Sequence, residues 1–359
     1  MIYLIDLESV ETRYTSEWKD HFPMMLAEHN IEVQEVVVID GPEDIAACTT
    51  PGAFLNFSGT NVYKAEQVRK VAELFTDNKV KEGDHFLFAD AWHPGIINLK
   101  YMSELLGIKV KIHALWHAGS YDPQDFLGRL IGKAKWVRHT EKAFFHAIDY
   151  NYFATNFHIE MFMENLLEED PRSAKMHYMP SGKITRAGWP MEYIFSEPKQ
   201  LEEKKDLILF PHRLAPEKQL DIFKDLAKSM PQYEWVVCQE QELTKAEYYK
   251  LLAQAKIVFS ANLQETLGIS CYEILANGGI PMVPDRLSYT EMYDDVFRYP
   301  SQWTSSMKGY ILHKSELISS IENYMTCFNK FLPHIKNNLE YLNTDFFSGT
   351  NIYNNMRGQ

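Results

Sequence analysis

The stretch that most constrains this 359-residue chain runs from Asn262 to Glu273 and reads Asn-Leu-Gln-Glu-Thr-Leu-Gly-Ile-Ser-Cys-Tyr-Glu, continuing as Ile-Leu-Ala-Asn-Gly-Gly-Ile-Pro-Met-Val-Pro. Ahead of it, Ile257, Val258, Phe259 and Ser260 form a short apolar run suited to a strand, and after Gly268 the residues Ile269, Tyr272, Ile274 and Leu275 recur at helical spacing. A strand, a carboxylate-bearing turn and a helix follow one another. Glu265 then lies at the carboxyl end of a strand, where open α/β sheets bind ligands, and Gly268 lets another backbone approach at the helix start. The N–H groups of Leu267, Gly268 and Ile269 would face the same crevice and, with the helix dipole, suit a phosphate. Glu273 falls two turns further along on the same helical face.

The rest of the chain repeats that rhythm. Met1 to Asp6 reads as a strand, followed by a helix ending near His29 with Phe22, Met25 and Leu26 inward and Pro23 in its first turn. The unbroken apolar run Val36-Val37-Val38-Ile39 fits a strand buried on both faces. Strands are expected at 53–57, 85–90, 110–116 and from Tyr152, and helices at 65–75, 96–105 and 157–167, with 176–193 irregular. A second series supplies strands at 207–210, 235–238, 257–260 and 280–283, helices at 217–230 and 245–254, and one long helical region at 315–342. Alternation of this kind predicts two Rossmann-like α/β domains. The polar run from Glu197 to Asp206 sets the boundary, giving domains at 1–200 and 201–335 and a helical tail at 336–359.

Composition narrows the function classes. With 45% hydrophobic residues the chain can build two cores, while its apolar runs are too short for a membrane span. The first residues read as a strand and not as a signal peptide. Cys48, Cys238, Cys271 and Cys327 are far apart, so neither a zinc site nor a disulfide framework is expected, and a reducing cytoplasm is the natural compartment. A net charge of −13 repels nucleic acid overall yet leaves room for a local basic patch.

The segment from Glu265 to Val283 resembles the Glu-x7-Glu motif of retaining GT-B glycosyltransferases, especially glycosyltransferase family 4, in Glu265, Leu267-Gly268, Glu273 and Gly279-Ile-Pro-Met-Val. Likewise Pro211-His-Arg213-Leu-Ala-Pro-Glu-Lys218 is similar to that family's Gly-Arg-Leu-x3-Lys segment, with Pro-His in place of the usual Gly. The resemblance implies a GT-B fold, two Rossmann-like domains facing across a cleft with a C-terminal helix crossing back to the first. It also implies a nucleotide-diphosphate sugar, most simply a UDP-sugar, as donor substrate, with no cofactor and no metal. Arg213 and Lys218 would take the pyrophosphate as it leaves, Glu273 the ribose hydroxyls, and Glu265 would lie beside the donor sugar. By residue type alone these charges equally suit a solvated surface.

In the first half, His117 follows a strand and resembles the His of the family's Val-x-His segment, which faces the donor sugar; a lone His is also commonly a packed one. Asp90, His93 and Asp122 stand at neighbouring strand ends or loops and are candidates to orient the acceptor. Trp92, Trp116 and Tyr121 suit core packing first and stacking on a sugar or base second. From Phe126 to Lys142 the chain carries Arg129, Lys133, Lys135, Arg138 and Lys142 around Trp136, a solvated helix face first and a polyanion-binding surface second. One departure is the loop Leu7 to Thr15, which lacks the Gly-Gly pair of many family members and leaves Thr12, Arg13 and Tyr14 unassigned. Pro284-Asp-Arg286-Leu-Ser-Tyr-x-Glu291 is similar to segments of queuosine-tRNA mannosyltransferases and of phage-encoded glycosyltransferases. Both groups glycosylate nucleic-acid bases, so the resemblance implies a hydroxylated base as acceptor, with 5-hydroxymethylcytosine in phage DNA leading. The compartment would then be the host cytoplasm. Queuosine tRNA, a polysaccharide or lipid-linked glycan, and a non-catalytic nucleotide-sugar-binding role stay open.

Overall fold

The structure, a computed structural model, describes residues 1–8, 14–31, 35–42, 56–196 and 202–357. Met1–Met191 together with Ser348–Gln359 pack as one compact unit, and Glu192–Phe347 as a second. The expected divisions stood at 200 and 335; packing turns the chain over to the second unit from Glu192 and returns it to the first from Ser348.

In the first unit the strands are β1 (Ile2–Ile5), β2 (Val36–Ile39), β3 (His85–Phe88), β4 (Lys111–Trp116), β5 (Tyr150–Phe153) and β6 (Ile184–Arg186). They form one sheet in the order β2-β1-β3-β4-β5-β6, and every pairing is parallel. Helices α1 (Trp18–Glu28), α2 (Phe57–Thr76), α3 (Gly95–Leu106), α4 (Phe126–Ile131), α5 (Lys135–Ala147), α6 (Asn156–Phe162) and α7 (Pro171–Tyr178) supply the crossovers. Sheet and helices share a core of wholly buried side chains that includes Phe86, Leu99, Trp116, Phe145 and Phe153. Such burial explains why β1 reads as a continuous apolar run, whereas β2, expected to be buried on both faces, is the edge strand of the sheet and is fully buried only at Ile39.

The second unit opens with α8 (Tyr193–Ser196) and carries β7 (Lys205–Phe210), α9 (Leu220–Ser229), β8 (Glu234–Val237), α10 (Lys245–Gln254), β9 (Ala255–Phe259), α11 (Ile269–Ala276), β10 (Ile280–Pro284), α12 (Tyr289–Met292), β11 (Arg298–Tyr299), α13 (Met307–Thr326) and α14 (Leu332–Asp345). Its sheet order is β11-β10-β9-β7-β8, again parallel. Finally α15 (Thr350–Met356) rejoins the first unit, where the Tyr353 ring meets Phe22 at 6.2 Å and His29 at 4.7 Å.

Several elements depart from the sequence reading. Residues 53–55 of the strand expected there lie outside the described residues, and Phe57 opens α2 instead, because the Asn56 side chain accepts from the amides of Ser58 and Gly59 and caps a helix at that point. Pro23 lies inside α1 and not in its first turn; a 3-10 turn at Tyr14–Glu17 leads into the helix, and Phe22 and Leu26, both fully buried, hold it across the missing amide. The stretch expected to be irregular, 176–193, holds the end of α7 and all of β6. Three residues suffice for β6 because Ile184 is buried and the backbone pairs along β5. The basic stretch is two helices, not one face: Asp125 caps α4, the chain breaks after Ile131, and α5 starts at Lys135. The long terminal region breaks likewise, at Cys327, into α13 and α14.

Candidate active site

In the second unit β7, β9 and β10 bring three loops to the carboxyl edge of the sheet. After β9, the turn places Glu265 with its side chain one-fifth exposed, and Lys218, delivered by the 3-10 turn after β7, reaches it: Nζ is 3.3 Å from Oε2 and 2.6 Å from the Gln264 carbonyl. Asn262 Nδ2 lies 3.4 Å from the same oxygen, and the Thr266 amide donates to Oε1 at 3.2 Å. Burial alone would raise the Glu265 carboxyl; the Lys218 ammonium chiefly holds it below its ordinary value. Glu265 is therefore ionised.

Gly268 adopts φ +76°, and a Cβ there would stand 2.7 Å from the Tyr289 ring, so the turn into α11 requires glycine on both counts. Tyr289 in turn bonds Ser260 at 3.1 Å and Asn262 at 3.0 Å, fixing the floor of the turn. Of the three residues expected to cradle a phosphate, Leu267 is buried, Gly268 makes the turn and Ile269 opens the helix.

His212, which occupies the place of the usual glycine, is almost wholly buried. Its Nε2–H donates to the Phe259 carbonyl at 3.2 Å, leaving Nδ1 to accept from the Ser270 hydroxyl at 3.2 Å. Burial, reinforced by Lys218, pushes its pKa down to about 3, so it is a neutral strut between β9 and α11. Arg213 points along the same edge, its Nη2 3.3 Å from the buried Glu217 carboxylate. Glu273 is held by α10: the Tyr248 hydroxyl donates to Oε2 at 2.8 Å and the Tyr249 hydroxyl to Oε1 at 3.3 Å. Arg286 bonds the carbonyls of Ala261, Asn262 and Ser301 and the Thr304 hydroxyl, tying the β9 turn to the segment after β11. Sequence reasoning missed His212, Tyr248 and Tyr249; the signal for His212 was the replaced glycine itself.

The first unit gathers a separate set at the carboxyl ends of β1, β3 and β4. His117 donates through Nε2 to the Ala89 carbonyl at 2.7 Å and packs between Trp18 and Trp189, ring centroids 5.6 and 5.2 Å away. Burial lowers its pKa against the pull of Asp90. Asp90 pairs with Lys64 of α2 at 3.2 Å and caps the Trp92 amide, which outweighs the burial that would raise it. His93 has both ring nitrogens engaged, Nε2 donating to Gln67 Oε1 at 3.0 Å and Nδ1 accepting from the Gly95 amide at 2.9 Å, so it organises the loop and presents no ring nitrogen to a ligand. Asp122 accepts from the Gln124 amide in a tight turn. Trp116 and Tyr121 are core residues, and the Trp92 indole donates to the fully buried Glu141. Glu141 also takes the amide and hydroxyl of Ser120, fixing the loop after His117; its place inside α5 gave no sequence signal.

Asp6 went unremarked although it follows a strand just as Asp90 does. Its carboxyl is buried, receives Tyr63 and Gln67, and is pushed up to about 7, chiefly by burial. Thr12 and Arg13 lie outside the described residues. On the surface of the unit, Arg129, Lys133 and Lys135 are exposed beside Leu130 and Trp136, 66% and 58% exposed, while Arg138 is half-buried and donates to the Asn165 carbonyl at 2.6 Å. Among the described residues no group of three or more His, Cys, Asp or Glu is placed to hold a metal ion, and no helix is long and apolar enough to cross a membrane.

No family model matches the chain, and no curated protein matches it in sequence. Solved structures do match it in fold. Sucrose-phosphate synthase from Thermosynechococcus elongatus aligns over 99% of this chain and 97% of its own with a TM-score of 0.61 at 12% identity. WaaG, a glycosyltransferase involved in lipopolysaccharide biosynthesis, aligns over 100% of both chains with a TM-score of 0.57 at 13% identity. The pneumococcal O-GlcNAc transferase GtfA, solved with UDP and GlcNAc, covers 80% of this chain at a TM-score of 0.53 and 12% identity, and this chain spans 58% of its length. Two parallel-sheet α/β units with these neighbours define a protein of GT-B fold.

Proposed function

We propose that the protein is a retaining glycosyltransferase that moves a sugar from a UDP-sugar to a hydroxyl acceptor. The observation that carries this reading is the Lys218–Glu265 pair at 3.3 Å, set beside the Gly268 turn at the carboxyl edge of the second sheet, within a fold shared with a transferase solved with UDP. Lys218 and Arg213 are cations at the place where a diphosphate gathers charge on leaving, and such fixed charges act most strongly where water is thin. Glu273, on α11 and steadied by two tyrosines, offers carboxylate oxygens to ribose hydroxyls. Glu265, ionised and fixed by several donors, stabilises positive charge building on the donor sugar as the anomeric bond loosens. In front-face transfer the acceptor oxygen joins the anomeric carbon on the side from which UDP departs, and a phosphate oxygen of the donor takes the proton. The enzyme then supplies positioning and electrostatics, with no resident cofactor and no metal.

For the acceptor the reading is 5-hydroxymethylcytosine in phage DNA, the base being flipped out of the duplex. Its support is the exposed set Arg129, Lys133, Lys135 and Trp136, cations with an aromatic on an otherwise acidic protein, as a nucleic-acid backbone and an unstacked base require. The compartment is the cytoplasm of the host. Incubation with UDP-sugars and duplex DNA carrying 5-hydroxymethylcytosine, followed by nucleoside mass spectrometry, tests both parts: a hexose or pentose mass on that base alone is expected. UDP binding without any addition overturns the DNA acceptor and turns the assay to queuosine tRNA and glycans. Absence of UDP binding overturns the transferase.

A further inference from the structure

Helix α11 of the second unit buries Cys271, Tyr272, Ile274 and Leu275 and keeps Ile269, Ser270 and Glu273 partly exposed. Ser270 precedes Glu273 by three positions, so it shares the face of that carboxylate, one turn nearer Gly268. Its hydroxyl meets His212, from the loop that also carries Arg213 and delivers Lys218. Lys218 and Glu265 both act on the His212 ring. Ser270 thus joins the two groups of charges at the carboxyl edge of this sheet, Glu273 along the helix and the Lys218–Glu265 pair beside His212.

The hydrogen bonds fix where the Ser270 proton points. The Phe259 carbonyl can only accept, so the His212 proton is on Nε2, 3.2 Å from it. Nδ1 then carries a lone pair, and its 3.2 Å contact with Ser270 Oγ is a bond in which the serine O–H donates. Burial keeps the ring neutral, so this polarity holds throughout the neutral pH range. A hydroxyl has one proton and two lone pairs. With its proton spent on His212, the Ser270 oxygen is left as an acceptor. Among the described residues the Cys271 thiol lies beside that oxygen, a weak donor that also contacts the Tyr289 hydroxyl at 3.9 Å. A phosphate oxygen, itself an acceptor, gains nothing from such a serine, whereas a ligand hydroxyl does. A residue at 212 with no acceptor atom would leave the serine free to turn its proton to a phosphate.

We infer that Ser270 accepts a hydrogen bond from a hydroxyl of the bound UDP-sugar, on its ribose or on the sugar to be transferred, and that His212 is the positioning residue that imposes this polarity. The inference rests on the glycosyltransferase reading above and deepens it: Arg213 and Lys218 serve the diphosphate, and Ser270 selects for a hydroxyl.

Calorimetric titration of UDP, 2′-deoxy-UDP, 3′-deoxy-UDP, UDP-glucose, UDP-galactose and UDP-N-acetylglucosamine into wild type, Ser270→Ala, Ser270→Thr and His212→Leu tests it, with thermal melting to establish that each variant is folded. Ser270→Ala is expected to bind the ligand that bears the hydroxyl about 3- to 10-fold more weakly, while Ser270→Thr, which keeps the acceptor, stays within about twofold of wild type. If the hydroxyl is on the ribose, UDP already shows the loss and one of the two deoxy forms does not. If it is on the transferred sugar, wild type and Ser270→Ala bind UDP alike and the loss appears only with a UDP-sugar. His212→Leu frees the serine proton and is expected to narrow the gap between the hydroxyl-bearing ligand and the form that lacks it; should this variant not fold, the Ser270 variants decide alone. Ser270→Ala with wild-type affinity for all six ligands overturns the inference. Equal losses with UDP and both deoxy forms, the pattern of a contact to phosphate, overturn it as well. A folded His212→Leu protein that keeps the full gap overturns the role of His212. A wild type that binds neither UDP nor any of the UDP-sugars overturns the glycosyltransferase reading beneath.

Discussion

Lys218 and Glu265 belong to different loops, 47 positions apart, yet Lys218 Nζ lies 3.3 Å from Glu265 Oε2 with the lysine side chain only 6% exposed. The lysine keeps the carboxylate charged, and the carboxylate keeps the lysine inside. Lys218→Ala is expected to lower the unfolding free energy by roughly 2–3 kcal/mol, because it strands a partly buried charge, and urea unfolding at neutral pH reads the difference.

Glu265→Gln retains the shape and removes the charge. On the proposed function, turnover falls about 100-fold or more while UDP affinity changes by less than about threefold, since the lost interaction belongs to the transition state. Steady-state UDP release beside calorimetric UDP titration separates the two quantities, and a variant that keeps its turnover removes Glu265 from the chemistry.

Gly268→Ala combines a positive φ with a Cβ 2.7 Å from Tyr289. A loss of about 1–3 kcal/mol in stability is expected, together with weaker UDP binding as the turn shifts. Thermal melting with and without UDP measures both effects.

The two tyrosines on Glu273 predict opposite signs. Tyr248 makes the shorter bond, 2.8 Å against 3.3 Å, and steadies the carboxylate; on the proposed function the more weakly bonded Oε1, held by Tyr249, is the oxygen that a ribose hydroxyl would claim. Tyr248→Phe should weaken UDP binding about 2- to 10-fold and Tyr249→Phe should leave it unchanged or strengthen it. Equal losses in both variants would show that the pair acts only as a support.

Several histidines are buried neutral: His85 is pushed down to about 4, His158 and His212 to about 3, in each case first by burial. An unfolded histidine binds its proton near 6.5, so between about pH 6.5 and 4 the unfolded chain holds more protons and stability falls with falling pH, by roughly 1.4 kcal/mol per unit for each fully depressed group. Above pH 6.5 this contribution is fully present. Denaturant midpoints across that window should show the slope, and His212→Gln should flatten it.

Much of the fold was legible because its signals are local. The runs at β3 and β9 are apolar enough to declare buried parallel strands, and Lys245–Gln254 is bounded by a Thr244–Glu247 capping box that two residue types at fixed spacing suffice to specify. The Glu265 turn was legible for the same reason, since strand, glycine and helix are consecutive. Where the reading failed, the deciding contact was distant: Ile184 becomes a strand only because β5 offers an edge.

The sequence by itself determined the two alternating α/β series and the carboxylate turn, because each depends on residue type at short spacing; the placing of Lys218 beside that turn, from 47 positions away, was implied only by the family resemblance. Only the tertiary structure decided which charges are spent on the protein and which are presented to a ligand. It assigned His93 to a closed hydrogen-bond network, Asp90 to Lys64, His212 to a strut and Asp6 to Tyr63 and Gln67. The ionisation and availability of a side chain depend on its burial and on partners brought from remote parts of the chain, and spacing along the sequence does not encode these.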